Sequence, residues 1–181
     1  MTNNILTGNN LKLRALEPSD VDVLYAWEND TSIWKVSNTL TPFSRFQLEE
    51  YVLNAQNDNF SAKQLRLMVD LLEAGKGEQS VGTIDLFDYD PFHCRAGVGI
   101  LIREPHRNKG HAVEAMNLLI TYAFSTLGLH QLFCNISQDN NSSVNLFEKL
   151  GFKKCGIKKE WIHEDHTWKD EWMFQLINSG D

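Results

Sequence analysis

A chain of 181 residues with 42% hydrophobic and 23% charged residues has the length of one domain and the make-up of a folded globular protein, which excludes extended disorder, collagen-like repeats and low-complexity tracts. Its 17 basic and 24 acidic side chains leave a net charge of −7, which disfavours nucleic acid and anionic membrane as partners and favours a cationic one. Cys94, Cys134 and Cys155 are odd in number and widely spaced, so neither a disulfide framework nor a zinc site is expected, and the usage fits a reducing compartment.

The first ten residues are polar and lack the basic start and apolar core of a secretory leader. No window approaches the about 18 apolar residues of a membrane span, so a soluble, cytoplasmic protein with no membrane partner is expected. Residues 11–16 (LKLRAL) alternate as a half-buried strand does, and Pro18, Ser19 and Asp20 open a helix with Val21, Leu24 and Tyr25 on one stripe. A loop rich in Asn, Thr and Ser spans 29–42. Ser44 and Gln47 then form a capping box ahead of Leu48, Tyr51 and Val52. Residues 64–72 and 80–87 read as strands joined by a turn at 74–77, and 95–103 as a third, giving an antiparallel meander. Residues 110–127 carry Ala112, Met116, Leu119, Ile120, Ala123 and Leu127 at helical spacing and stop before Gly128. A strand at 129–136 completes a right-handed crossover between parallel strands. A helix at 140–150 ends at Gly151, and 152–163 with 167–177 forms a hairpin around Glu164, Asp165 and His166. With no linker and no repeat, residues 1–181 are expected to form a single mixed α/β domain, one sheet flanked by helices.

The most informative stretch runs from Arg103 through Glu104, Pro105, His106, Arg107, Asn108, Lys109, Gly110 and His111 to Ala112, between a strand and the long helix. Successive backbone N–H groups in such a turn converge, the helix N-terminus adds partial positive charge, and Gly110 lets anionic oxygens approach the backbone. Arg103, Arg107 and Lys109 reverse the local sign of an acidic chain, so a pyrophosphate is the expected guest. A solvated basic turn with an ordinary glycine is the alternative. Neither G-x-x-x-x-G-K-[ST] nor an N-terminal G-x-G-x-x-G is present, which counts against nucleotide hydrolysis and dinucleotide redox chemistry.

Arg107-Asn108-Lys109-Gly110-His111-Ala112 resembles the [RQ]-x-x-G-x-[GA] pyrophosphate loop of the GNAT superfamily of N-acetyltransferases. Residues 140–152 (NNSSVNLFEKLGF) resemble that family's N-x-x-[SA]-x-x-[LI]-[YF]-x-K-x-G-F, and the order of elements follows the family along nearly the whole chain. The opening at 13–20 (LRALEPSD) and the tail are most similar to the branch holding ribosomal-protein alanine and spermidine N-acetyltransferases. The resemblance implies an α/β fold with a six- to seven-stranded, mostly antiparallel sheet, a splayed central parallel pair and about four helices. It also implies acetyl-CoA as co-substrate in the splay, and no metal. Backbone groups of Leu101, Ile102 and Arg103 would hold the pantetheine as an added strand. Arg107 and the amides of Asn108, Lys109, Gly110, His111, Ala112 and Val113 would hold the pyrophosphate, and Lys149 would reach the phosphate side. Asn140 would contact the pantetheine arm, or serve only to cap its helix. Phe147 would stand in the cofactor site where many relatives carry a tyrosine that protonates the departing thiolate.

The implied reaction is direct attack of a neutral amine on the thioester carbonyl in a ternary complex, with the backbone N–H of Leu101 on the oxyanion. It needs no covalent enzyme intermediate, so Cys94 and Cys134 read as packing residues. The glutamate that many relatives carry on the fourth strand is replaced by Gly97. Ser143, one turn before Phe147, is the candidate acid, with water as the alternative. Asp85 is the candidate base, and Asp85, Asp88, Glu28 and Asp30 also read as solvated carboxylates that attract a cation. Trp27, Trp34, Trp161, Trp168 and Trp172 form a cation-friendly wall or simply pack, and His163 with His166 lacks the further ligands a metal needs. The expected acceptor is a small-molecule or peptide primary amine: a polyamine, an aminoglycoside or a protein N-terminus. A catalytically degenerate acyl-CoA-binding sensor or partner protein is the alternative, and the exposed hairpin makes a homodimer plausible.

Overall fold

Leu11 and Leu13 are buried while Lys12 and Arg14 are only half so, which gives β1 (Leu11–Ala15) one inward face. The computed structural model describes residues 4–37, 39–55, 63–72 and 79–180. A single 3-10 turn at Pro18–Asp20 leads into α1 (Val21–Glu28), which buries Val21 and Leu24 and leaves Tyr25 exposed. The expected loop at 29–42 contains a one-turn helix, α2 (Trp34–Ser37), too short to leave a periodic signal. At α3 (Arg45–Asn54) the capping box forms as expected: the Gln47 N–H donates to Ser44 Oγ at 3.1 Å and the Ser44 N–H to Gln47 Oε1 at 2.8 Å. Two strands follow, β2 (Leu65–Leu71) and β3 (Gln79–Asp90), and the turn expected between them at 74–77 lies outside the described residues.

β4 (Arg95–Ile102), α4 (His111–Ser125) and β5 (Gln131–Ser137) make the crossover, followed by α5 (Asn141–Lys149) and the hairpin of β6 (Lys153–Glu164) and β7 (Thr167–Ile177). The strands form one seven-stranded sheet in the order β1-β2-β3-β4-β5-β7-β6, in which only β4 and β5 run parallel. Both features meet the expectation. β7 lies inside and β6 is the edge, because β7 returns antiparallel to β5. No helix among the described residues is long and apolar enough to cross a membrane.

Strand alternation sorts the core into two layers. Leu67, Val69, Ile84, Leu86 and Val98 pack with Ala115, Met116, Leu119 and Ala123 of α4, and Met68 packs with Leu16, Val21, Leu24, Leu48 and Val52 of the α1 and α3 side. On that second face, Arg14 links two buried carboxylates. Its Nε lies 2.5 Å from Asp70 and its Nη1 2.7 Å from Asp20, while Ser80 Oγ donates to Asp70 at 2.6 Å. Burial alone would raise the Asp20 carboxyl, but Arg14 and the Glu17 N–H outweigh it and hold it below the ordinary carboxylate value.

Candidate active site

β4 and β5 pair at Arg95–Gln131, Ala96–Leu132 and Gly97–Phe133 and then separate, although β4 runs on to Ile102 and β5 to Ser137. Alternation decides which backbone groups face the gap. The Arg103 N–H donates to the Val81 carbonyl at 2.9 Å, and with Gly82 opposite Ile102 this makes Thr83–Leu101 and Asp85–Gly99 the hydrogen-bonded pairs of the β3–β4 ladder. Leu101 therefore turns its N–H and C=O to β3, whereas Val98, Ile100 and Ile102 turn theirs to the opening. The Leu101 N–H expected on the oxyanion is directed away from the gap, and Ile100 is the residue that offers one there. Arg103 is also committed elsewhere, its carbonyl accepting from the His106 N–H at 2.9 Å. Of the three residues expected to hold the pantetheine, only Ile102 backs onto the opening.

Beyond Ile102 the chain makes a 3-10 turn at Glu104–His106 and enters α4 through two left-handed residues, Asn108 (φ 60°) and Gly110 (φ 85°). The first helical bond is Glu114 N–H to the Gly110 carbonyl at 3.1 Å, so the N–H groups of His111, Ala112 and Val113 have no acceptor within the helix. Unpaired N–H groups at a helix N-terminus are of the kind that can receive an anion. Arg107 fixes the turn by donating from Nε to the Ile102 carbonyl at 2.8 Å. Arg103 departs from the expected cation triplet: its Nη2 bonds Asp30 at 2.7 Å and its guanidinium lies 5.8 Å from the Trp27 ring centroid. Asp30 is pushed down to about 2 by the Ser32 hydroxyl and Arg103. Burial and His106 lower the His111 imidazole against a smaller opposing pull from Glu114, which disfavours a charge on it at the cradle.

A cavity of about 940 Å³ opens beside Gly110, with Val113, Asn117 and Lys149 on one side and Thr7 and Gly8 on the other. Lys149 thus comes from α5 to the same space as Gly110. The N-terminal wall is held by Glu114, which accepts from the Asn10 N–H at 2.8 Å and Asn10 Nδ2 at 2.9 Å. Sequence reasoning missed Glu114 because its partner lies 104 residues away. At the start of α5, Asn140 Oδ1 accepts from the Ser143 N–H at 3.2 Å and from Ser142 Oγ at 3.0 Å, so Asn140 caps its helix. Ser143 is half-buried, on the same helical face as Phe147. Phe147 is buried edge-on against Phe152, with ring centroids 5.0 Å apart.

The family model for the acetyltransferase (GNAT) domain matches residues 10–153. The chain belongs to the GNAT acetyltransferases. It is 29% identical over 170 residues to the spermidine N(1)-acetyltransferase of Vibrio cholerae, covering 93% of this chain and 94% of that protein. The crystal structure of spermidine N-acetyltransferase from Vibrio cholerae in complex with CoA and spermine matches with a TM-score of 0.82 and 25% identity, over 93% of this chain and 96% of that one. A dodecameric structure of spermidine N-acetyltransferase from Vibrio cholerae in an intermediate state matches with a TM-score of 0.77 and 25% identity, over 92% and 93% of the two chains. The expected fold and the expected enzyme class, an N-acetyltransferase, both stand, and the family uses acetyl-CoA. Gly110, Val113 and Lys149 on one cavity, with the orphan amides of α4 beginning beside it, suit its anionic end.

In this GNAT enzyme the carboxylates singled out from sequence are engaged. Asp85 receives Arg66 Nε at 2.6 Å and Nη2 at 3.3 Å, and Glu28 receives Arg66 Nη1 at 2.6 Å. Asp85 stands opposite Gly99 on the face away from α4, beside the gap rather than at the cradle. Gly97 lies under the ring of Phe87. The tryptophans do not form one wall: Trp34 Nε1 donates to the Glu28 carbonyl at 2.8 Å, Trp161 and Trp168 are exposed on the hairpin, and Trp172 packs on the α4-side core under Lys154. His163 packs against Trp168, and no metal-binding cluster occurs among the described residues. Burial pushes the Cys134 thiol up, which suits a packing residue.

Proposed function

We propose that this enzyme transfers the acetyl group of acetyl-CoA directly to a primary amine of a cationic acceptor in a ternary complex, with a polyamine ahead of an aminoglycoside or a protein N-terminus. One observation carries the reading: the edge of β4 at Ile100, which β5 leaves unpaired, leads straight through Ile102 to the orphan amides of α4. An extended amide-bearing arm pairs with the first while its anionic end meets the second. Acetyl-CoA supplies the activated thioester. The amides from Asn108 to Val113, Arg107 and Lys149 bind its phosphates, and the Asn140 amide nitrogen, not used by the cap, is available to the arm. The Ile100 N–H hydrogen-bonds the acyl carbonyl oxygen, and Ser143 or water returns a proton to sulfur.

Two carboxylates, Glu28 and Asp85, face one guanidinium, Arg66, so the group keeps one net negative charge beside Gly99. That field favours a cationic amine, and Asp85 is the carboxylate best placed to receive its proton. A polyamine is further supported by the Vibrio cholerae relative's name and by the spermine in its crystal structure. Exposed Trp161 and Trp168, at 61% and 60%, support self-association as at least a dimer. A silent acyl-CoA-binding sensor or partner is the second reading, drawn from Phe147 and the covered Gly97.

Thiol release from acetyl-CoA, measured with spermidine, spermine, aminoglycosides and alanine-ended peptides, tests both. The expected result is saturable release that is fastest with a polyamine. Tight CoA binding with no amine-dependent release across the panel would favour the sensor.

A further inference from the structure

The gap between β4 and β5 has a closed end at the Gly97–Phe133 rung, and two phenylalanine rings lie across it. Phe87 stands opposite Gly97 in the β3–β4 ladder, and the register breaks immediately beyond it, with Asp88 at φ 48°. Such a bulge re-aims the side chain next to it. A Cβ on Gly97 would fall 2.6 Å from Phe87 Cζ and 2.7 Å from its Cδ2, far inside the about 3.5–4.0 Å of carbon contact. One on Gly99 would sit at an ordinary 3.7 Å. Of these two glycines, Gly97 is therefore the one required to lack a side chain. The Phe133 ring meets Phe87 edge-on, with centroids 6.0 Å apart and planes at 83°, a favourable arrangement that holds the Phe87 ring in place. Neither ring belongs to either core cluster, and both are half-buried. Both rings are thus partly open to solvent rather than sealed in the interior.

We propose that Phe87, seated on Gly97 and braced by Phe133, sets the size of the acyl group this enzyme accepts, admitting acetyl and refusing butyryl and longer chains. The inference rests on the acetyl-CoA reading above. With the phosphates at Gly110, an arm laid along the free edge runs from Ile102 back toward Gly97, so its acyl end arrives where the strands rejoin. There the aromatic pair fills the face away from α4, and a longer chain has to displace a ring that Gly97 and Phe133 pin from two sides.

Calorimetric affinities of CoA, acetyl-CoA and butyryl-CoA for the native protein, Phe87→Ala and Phe87→Leu test this without turnover. In the native protein butyryl-CoA is expected to bind at least about tenfold more weakly than acetyl-CoA. In Phe87→Ala the difference shrinks to within about threefold, in Phe87→Leu it is intermediate, and CoA itself binds alike in all three. Equal native affinities for the two acyl forms, or an unchanged ratio in both variants, overturns the proposal while leaving the cofactor site intact. Failure of the native protein to bind CoA sinks the acetyl-CoA reading instead. The seat can also be checked with no ligand. Gly97→Ala should lower the unfolding midpoint, and adding Phe87→Ala should cost less than the sum of the two single changes; strict additivity would show that the ring does not rest on Gly97.

Discussion

On the α4 side of the sheet, polar groups are left open: the amides of His111 to Val113 and the edge of β4 beyond Gly97 lack partners in the ladder or helix. On the side covered by α1 and α3 the opposite holds, and Arg14, Arg66 and Arg103 each close on one or two carboxylates. The first arrangement is left to water or a ligand to complete, and the second is complete within the fold whether or not a ligand is bound. The binding surface proposed above is thus made of backbone held ready by its neighbours. The charged side chains mostly hold the scaffold, and the Arg66 group near Asp85, like the Arg14 group, keeps one net negative charge.

Four substitutions break or sharpen this contrast. Arg14→Ala should have the largest effect, about 3–5 kcal/mol of stability in a denaturant titration, because it leaves Asp20 and Asp70 buried without their cation. The same change should alter acid unfolding. The Asp20 carboxyl is held below its ordinary value, so its contribution is fully present above about 3.9 and is lost as pH falls through the depressed folded value. Without Arg14, burial dominates and the acid transition should move to higher pH, read from circular dichroism.

Gly110→Val comes next. A Cβ there meets nothing within 4 Å, so the penalty is the left-handed backbone alone, about 1–3 kcal/mol. If the loop relaxes to avoid it, CoA affinity should fall by one to two orders of magnitude in calorimetry; native affinity would remove the orphan amides from the site. Asn140→Ala should cost about 0.5–2 kcal/mol of stability through the lost cap. A CoA affinity within about threefold of native would mark the residue as a cap alone, and a larger drop would add the amide contact. Lys149→Gln should be mildest, weakening CoA binding a few-fold at low salt and by less as salt screens the charge.

What was legible in the sequence was what is local. Ser44 and Gln47 declare a helix start within four positions, and the loop from Arg107 to Ala112 carries its own glycine, so both could be read directly. The phase of β4 could not, because period-two alternation names two sets of residues and only the pairing with β3 says which set faces the gap. That is why the sequence pointed to Leu101, although its N–H turns to β3 and that of Ile100 turns to the gap. The cover on Gly97 was equally hidden, since it comes from Phe87 on another strand. The engaged state of Asp85 depends on Arg66, 19 residues away, and on Glu28, 38 residues from that arginine. Arg103 looked like part of the cradle by proximity in sequence, but its partner Asp30 lies 73 residues off.

The hold of Glu114 on Asn10 has a practical side. Asn4, Thr7, Gly8 and Asn9 form part of the cavity rim next to Gly110, so, under the acetyl-CoA proposal, an affinity handle fused ahead of them would crowd the mouth by which the nucleotide enters. Ile177 pairs with Gln131 at the opposite end of β5 from the splay, and a handle placed after it keeps clear of that traffic.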